Sequence, residues 1–150
     1  MATFEAERYV EASRERAWEI VSDAANLAVH APNLSKSEVI AGEGEGMVRR
    51  CYNAAGRGWS ETCTLWQPGQ RYTMEVDTSD YPYPLSQMRG TWEVREHGDG
   101  ALIRLRYDYV MKYGPVGAVL ATLLRPAFSR TCRRMLDSYE RSVLATPAPA

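Results

Sequence analysis

The chain has 150 residues, enough for one domain with a real core, and its formal net charge of −1 gives no global field that calls for nucleic acid or an anionic membrane. Three cysteines (Cys51, Cys63, Cys132) form no CxxC pair and only His30 and His97 accompany them, so no zinc site and no cofactor are expected. The thiols read as reduced, in a cytosolic protein; no signal peptide or membrane-length apolar run is expected.

Residues 3–11, "TFEAERYVE", alternate as a first strand. Ser13 then caps a helix with Glu15 in its first turn, and Ala17, Trp18, Ile20 and Val21 give it an apolar side. Asp23 reads as a second cap, opening a short helix that stops before Pro32. From about residue 36 the hydrophobic period changes from 3.6 to 2. Six strands are expected, near 36–41, 46–54, 58–66, 70–77, 86–95 and 101–111, divided by Gly- and Pro-rich connections such as "AGEGEG" and "DTSDYPYPLS". Short connections make antiparallel neighbours, hence a meander. A long amphipathic helix follows, with Pro115 at N1 and its end near Ala145. Its apolar stripe is Val116, Leu120, Leu123, Leu124, Phe128, Cys132, Met135, Tyr139 and Val143. Pro126 removes one backbone bond inside it and predicts a kink. The final "TPAPA" is expected to fray. A curved sheet needs its apolar face covered, and only this helix is long enough. The expected class is α+β, a seven-stranded antiparallel sheet wrapped around a C-terminal helix, with two short helices after the first strand.

Three stretches carry a resemblance: "VEASRERAWEIVSD", "GWSETCTLWQPGQRYTMEV", and "MRGTWEVREHGDGALIRLRYDY" followed by "KYGP" and the helix. The chain resembles the START-like (SRPBCC) superfamily with the helix-grip fold, and within it the polyketide cyclase/dehydrase and lipid-transport group. The likeness spans nearly all of residues 3–145, as one domain with a flexible tail at 146–150. It implies a cavity between sheet and long helix. It names no substrate, because this superfamily shares a shape and no catalytic motif.

Period 2 assigns faces directly. Ile103, Leu105, Tyr107, Tyr109 and Met111 share the inward side of the last strand; Arg104, Arg106 and Asp108 oppose them. Met88, Gly90, Trp92 and Val94 point in, as do Tyr72, Met74 and Val76. In 58–66 Trp59, Glu61, Cys63 and Leu65 are expected inside and Trp66 outside. A two-residue turn at Gly56-Arg57 would set Tyr52 opposite Glu61 and Arg50 opposite Cys63, sending Val48, Arg50 and Tyr52 inward. A three-residue turn would send Arg49 and Cys51 inward instead. Arg50 is preferred; either register puts an Arg within reach of Glu61. Such a couple is tolerable inside, as a polar anchor toward a ligand carbonyl or enolate, or as a structural ion pair at the wet rim of the sheet.

The end of the meander holding "NAAGRG", "DTSDYPYPLS" and "KYGP" carries Tyr81, Tyr83 and Tyr113 and is the expected portal. His30 lies near it and reads as a surface or capping residue. Tyr52, Trp59, Tyr72, Met74, Tyr81, Tyr83, Met88, Trp92 and Tyr109 are the expected ligand-binding residues. The expected partner is a hydrophobic small molecule or polyketide intermediate, with an acyl carrier protein as a further candidate and a monomer or homodimer as the assembly. If the protein is catalytic, the resemblance implies aldol closure of a poly-β-ketone with loss of water. Arg50 would then stabilise the enolate, and Glu61 or Tyr107 would move protons. The rival reading is a non-catalytic carrier of a lipid, quinone or similar metabolite; a third is an interaction module with an incidental cavity. No nucleophile elbow, phosphate loop or metal set occurs.

Overall fold

The computed structural model describes residues 1–145, so the expected tail lies outside the described residues. The strands are β1 Ala2–Val10, β2 Leu34–Ala41, β3 Val48–Asn53, β4 Gly58–Gln67, β5 Arg71–Val76, β6 Leu85–His97 and β7 Gly100–Met111. They form one antiparallel sheet in the order β1-β7-β6-β5-β4-β3-β2. The helices are α1 Arg14–Val21, α2 Leu27–His30 and α3 Gly114–Leu144. This is the expected architecture.

Local chemistry explains the ends. Ser13 Oγ accepts from the Arg16 backbone N–H at 3.1 Å, the expected cap of α1. Asp23 does not cap a helix. Its carboxylate accepts from the Asn26 side chain at 2.6 Å, and the residues after it, Ala24–Asn26, make a 3₁₀ turn leading into α2. Tyr113 (φ 70°) and Gly114 (φ 52°) are both left-handed, which turns β7 sharply into α3 and puts Pro115 in the first turn. The helix continues through Pro126.

α3 has two unlike halves. Cys132, Met135, Leu136, Tyr139 and Val143 are buried against the sheet and α1. Arg8 on β1 bridges Asp137 (2.8 Å) and Glu140 (3.0 Å), and Arg16 donates to the carbonyls of Ser142 (3.1 Å), Val143 (3.2 Å) and Ala145 (3.2 Å). A guanidinium on those end carbonyls satisfies orphan acceptors and complements the helix dipole. The first half is different: of residues 114–125 only Gly117 is buried. The expected apolar stripe therefore breaks, because Val116, Leu123 and Leu124 are exposed.

Two sheet irregularities decide which side chains enter the concave face. The β3–β4 hairpin closes on Asn53 and Arg57, whose backbones pair at 2.9 Å around Ala54–Gly56. Asn53 Oδ1 holds that loop by accepting from the Ala55 and Arg57 N–H groups, both at 3.0 Å, and Gly56 takes the left-handed position (φ 82°). Arg49 is consequently the residue opposite Glu61, and Tyr52 lies opposite Gly58. In β4 the partners Cys63↔Met74 and Leu65↔Thr73 are separated by a bulge at Thr64. The extra residue flips the alternation. Leu65 shares the outer face with Thr73, and Trp66 turns in against Trp18 (5.5 Å) and Tyr72 (5.3 Å), the reverse of the expectation for both.

Candidate functional site

Glu61 sits in the middle of β4 and Arg49 in β3, side by side on the concave face. Arg49 is completely buried and Glu61 is 7% exposed. Arg49 donates twice to one Glu61 oxygen, through Nη2 and through Nε at 3.1 Å, and once through Nη1 to the Ala24 carbonyl at 3.2 Å. Trp59 Nε1 donates to the other Glu61 oxygen at 2.8 Å. The guanidinium also lies over the Trp92 ring, 5.2 Å from its centroid. Burial works against the charge on Arg49, and the adjacent carboxylate more than offsets it, so its pKa is raised.

Beyond this couple lies a cavity of about 340 Å³ between the sheet and the middle of α3. Trp59, Glu61, Met88, Trp92, Tyr107 and Tyr109 line it from the sheet; Tyr81, Tyr83, Pro84 and Leu85 close one end. Leu124, Phe128, Cys132 and Met135 form its roof, Thr131 adds a hydroxyl, and Arg125 stands at its edge. Leu27, Ala31, Asn33 and Leu34 bound it on the α2 side. The rings interlock edge to face: Trp59 on Tyr81 (5.1 Å), Tyr81 on Tyr83 (5.0 Å), Tyr107 on Phe128 (5.1 Å). Gly90 is required here. A Cβ would approach Trp92 to 2.9 Å and Tyr107 to 3.1 Å, so its absence lets both rings lean across the strand.

Eight of the expected residues therefore come together: Trp59, Glu61, Tyr81, Tyr83, Met88, Trp92, Tyr107 and Tyr109. Tyr72 and Met74 point inward but lie beneath the floor. Tyr72 stacks on Trp92 (5.1 Å, 3°) and donates its hydroxyl to the Val21 carbonyl at 2.9 Å, while Met74 is fully packed. Arg50 and Tyr52 are corrections. The hairpin closure puts them on the outer face, where Arg50 donates to Ser60 Oγ at 3.1 Å and the Tyr52 ring covers Gly58. The buried arginine is Arg49, and it supports Glu61 from behind without lining the cavity. Tyr113 is 70% exposed and does not line the cavity either. The α2 side and Arg125 were missed from the sequence, because neither shows a periodic signal that points at a ligand.

The Tyr81 and Tyr107 hydroxyls and the Cys132 thiol hold their protons. Burial raises the Tyr107 and Tyr81 phenols, with Glu61 nearby adding to both, and pushes the Cys132 thiol up to about 12. No thiolate nucleophile is set up there. The Tyr107 hydroxyl points at Met135 Sδ, 3.7 Å away, a weak acceptor.

His30 is neither a surface nor a capping residue. It is 7% exposed, stacks on Tyr139 (4.3 Å, 28°) and pairs through Nδ1 with Ser138 Oγ at 2.8 Å, tying α2 to α3. Burial lowers its pKa from 6.5; Asp23 opposes the shift and Arg141 adds to it. The unfolded chain therefore binds this proton more readily than the folded one. Stability should be unaffected by this group above about pH 6.5 and should fall as pH drops below it. Denaturant titrations between pH 7.5 and 5 check this: His30→Gln should flatten that slope.

The family model described as "Polyketide cyclase / dehydrase and lipid transport" matches residues 1–143. No curated protein matches the chain in sequence. Among solved structures, TTHA0849 from Thermus thermophilus superimposes with a TM-score of 0.77 at 24% identity, covering 98% of this chain and 100% of that one. Norcoclaurine synthase from Thalictrum flavum, in complex with dopamine and hydroxybenzaldehyde, gives 0.75 at 19% identity over 99% of this chain and 89% of that one. The di-domain ARO/CYC BexL from the BE-7585A biosynthetic pathway gives 0.73 at 21% identity, over 95% of this chain and 46% of that one. At these identities the likeness is one of fold.

Proposed function

Because the chain belongs to the polyketide cyclase/dehydrase and lipid transport family, we propose that it binds a small, hydrophobic, ring-bearing molecule in the cavity under α3, with Glu61 as the polar anchor. The observation that carries this is a carboxylate set among aromatic walls with its charge already balanced from behind. Arg49 and Trp59 hold both oxygens, yet a carboxylate has about four lone-pair sites, and the three N–H donors leave one for the cavity. A ligand hydroxyl or ammonium satisfies it. A ligand carboxylate does not, since it carries no proton to donate and its charge is repelled by that of Glu61. The volume lies near the lower end of the ~300–1,000 Å³ typical of small-molecule sites. No described helix is long and apolar enough to cross a membrane.

A matched pair of probes tests the anchor: 2-naphthol and naphthalene, followed by quenching of tryptophan fluorescence. A hydrogen bond to a charged group is worth ~1.5–3 kcal/mol, so naphthol should bind about tenfold more tightly or better, and Glu61→Gln should narrow the gap. Equal affinities in the wild type would remove Glu61 from the reading. Native mass spectrometry of protein purified from its own host would identify the ligand class.

A second reading, catalysis, is favoured by one observation: the Tyr107 proton has only a thioether to donate to, in a cavity that also holds a carboxylate. Glu61 would take a proton from a carbon flanked by two carbonyls. The enolate carbon would bond to a second carbonyl carbon while Tyr107 protonates the alkoxide; the Tyr107 phenolate would then take the remaining α-proton as the protonated Glu61 gives its proton to the departing hydroxyl, which leaves as water and restores both groups. An acyl carrier protein enters as a partner only under this reading. The enolate-stabilising role first given to Arg50 has no occupant, because Arg50 is outside and Arg49 is behind Glu61. Turnover of a poly-β-ketone that falls in Tyr107→Phe while affinity holds would support catalysis over carriage.

A further inference from the structure

The middle of α3 covers the cavity, and the turns that lead into it leave an apolar side bare. Val116 (71% exposed), Val119 (62%) and Leu123 (72%) follow at i, i+3 and i+7, one line on the outer surface of the helix. Tyr113, 70% exposed, stands at the start of the same end. Arg130 and Arg134 continue that line toward the C-terminus, with Arg133 beside them. Between Lys112 and Leu136 the sequence holds five basic residues and no acidic one. The five are Lys112, Arg125, Arg130, Arg133 and Arg134, all exposed, and none is in a salt bridge among the described residues. Elsewhere most arginines of the sheet are laced to carboxylates, as Arg104 is to Glu7 and Arg106 to Glu5. The near-zero net charge thus hides a segregated one: thirteen basic residues share the rest of the chain with all nineteen acidic ones.

We propose that this face of α3 docks on an anionic phospholipid surface. The order of chemistry along the helix favours a membrane over an acidic protein. Leu123 and Arg130 are seven residues apart, about 10 Å along the axis. A helix that dips its N-terminal end places Tyr113, Val116, Val119 and Leu123 at the acyl boundary and its arginines at the depth of the phosphates. Arg125, whose guanidinium lies 5.3 Å from the Phe4 ring, sits at the cavity edge on the same half of the helix. Docking would bring the roof of the cavity to the bilayer. The inference goes beyond the binding proposed above and needs no ligand, so its failure would leave that reading intact.

Vesicle flotation with the full chain tests it, comparing neutral phosphatidylcholine with phosphatidylcholine containing one third phosphatidylglycerol. At low salt, retention on the anionic vesicles should exceed that on neutral ones about tenfold, and should fall as salt is raised. Val119→Asp with Leu123→Asp, and separately Arg130→Glu with Arg134→Glu, should each remove about tenfold of it. All four side chains are exposed, so the melting temperatures should stay at the wild-type value. Equal retention on the two vesicles, or variants that bind as well as the wild type, would overturn the proposal. So would binding to an acidic acyl carrier protein with no retention on either vesicle, which would assign the face to a protein partner.

Discussion

Arg49→Met should lower folding stability by about 3–5 kcal/mol, the cost of stranding a buried charge whose partner has been removed. Arg49 is wholly buried, and without it Glu61 keeps only the Trp59 donor. The carboxyl must then either stay ionised in an apolar setting or take up a proton, and both routes cost free energy. Urea denaturation reads the effect as a lower midpoint with an unchanged slope. Two companions make the result specific. Arg49→Met combined with Glu61→Gln should recover much of the loss, because a buried ion pair replaced by neutral groups is often close to neutral. Arg50→Met, one position along on the outer face, should cost no more than about 1 kcal/mol. Equal losses at 49 and 50 would sink the assignment of the inward arginine.

Gly117→Ala should destabilise by about 2 kcal/mol, against the propensity rule. Alanine in an exposed helix interior is better than glycine by about 1 kcal/mol. Gly117 is the one buried residue in the first three turns of α3, and a Cβ there would overlap the Lys112 carbonyl oxygen and come within 3.0 Å of Met111 Cβ. Backbone cannot rotate away as a long side chain can. Either α3 lifts or the β7 end shifts, breaking the 2.9 Å bond from the Lys112 N–H to the Pro84 carbonyl. Overpacking of this kind costs ~1–3 kcal/mol, enough to reverse the propensity gain. Met111, Pro84 and the middle of α3 also bound the cavity, so naphthol affinity should fall with stability. A rise in melting temperature would show that α3 is not pinned at this point.

The inward set was readable wherever alternation ran unbroken. Met88, Trp92, Tyr107 and Tyr109 come from two strands, β6 and β7, whose faces are fixed by period 2 over a dozen residues. It failed at the two places where one residue changes the count. The loop after β3 closes through the side chain of Asn53, which moved the inward arginine from 50 to 49. The bulge at Thr64 exchanged Leu65 and Trp66. In α3 the apolar positions were legible, but their burial was not: Val116 and Leu123 look like core residues in sequence and face away from it.

Composition and periodicity by themselves determined the class, the meander, the single long helix and the presence of an Arg–Glu couple within the sheet. These depend on patterns summed over many residues, which single irregularities do not disturb. Tertiary structure alone decided which arginine backs Glu61, that it stays behind the wall, that α2 and Arg125 border the chamber, and that His30 is buried. Each of those rests on loop closure or on elements distant in sequence meeting in space, and neither leaves a period along the chain.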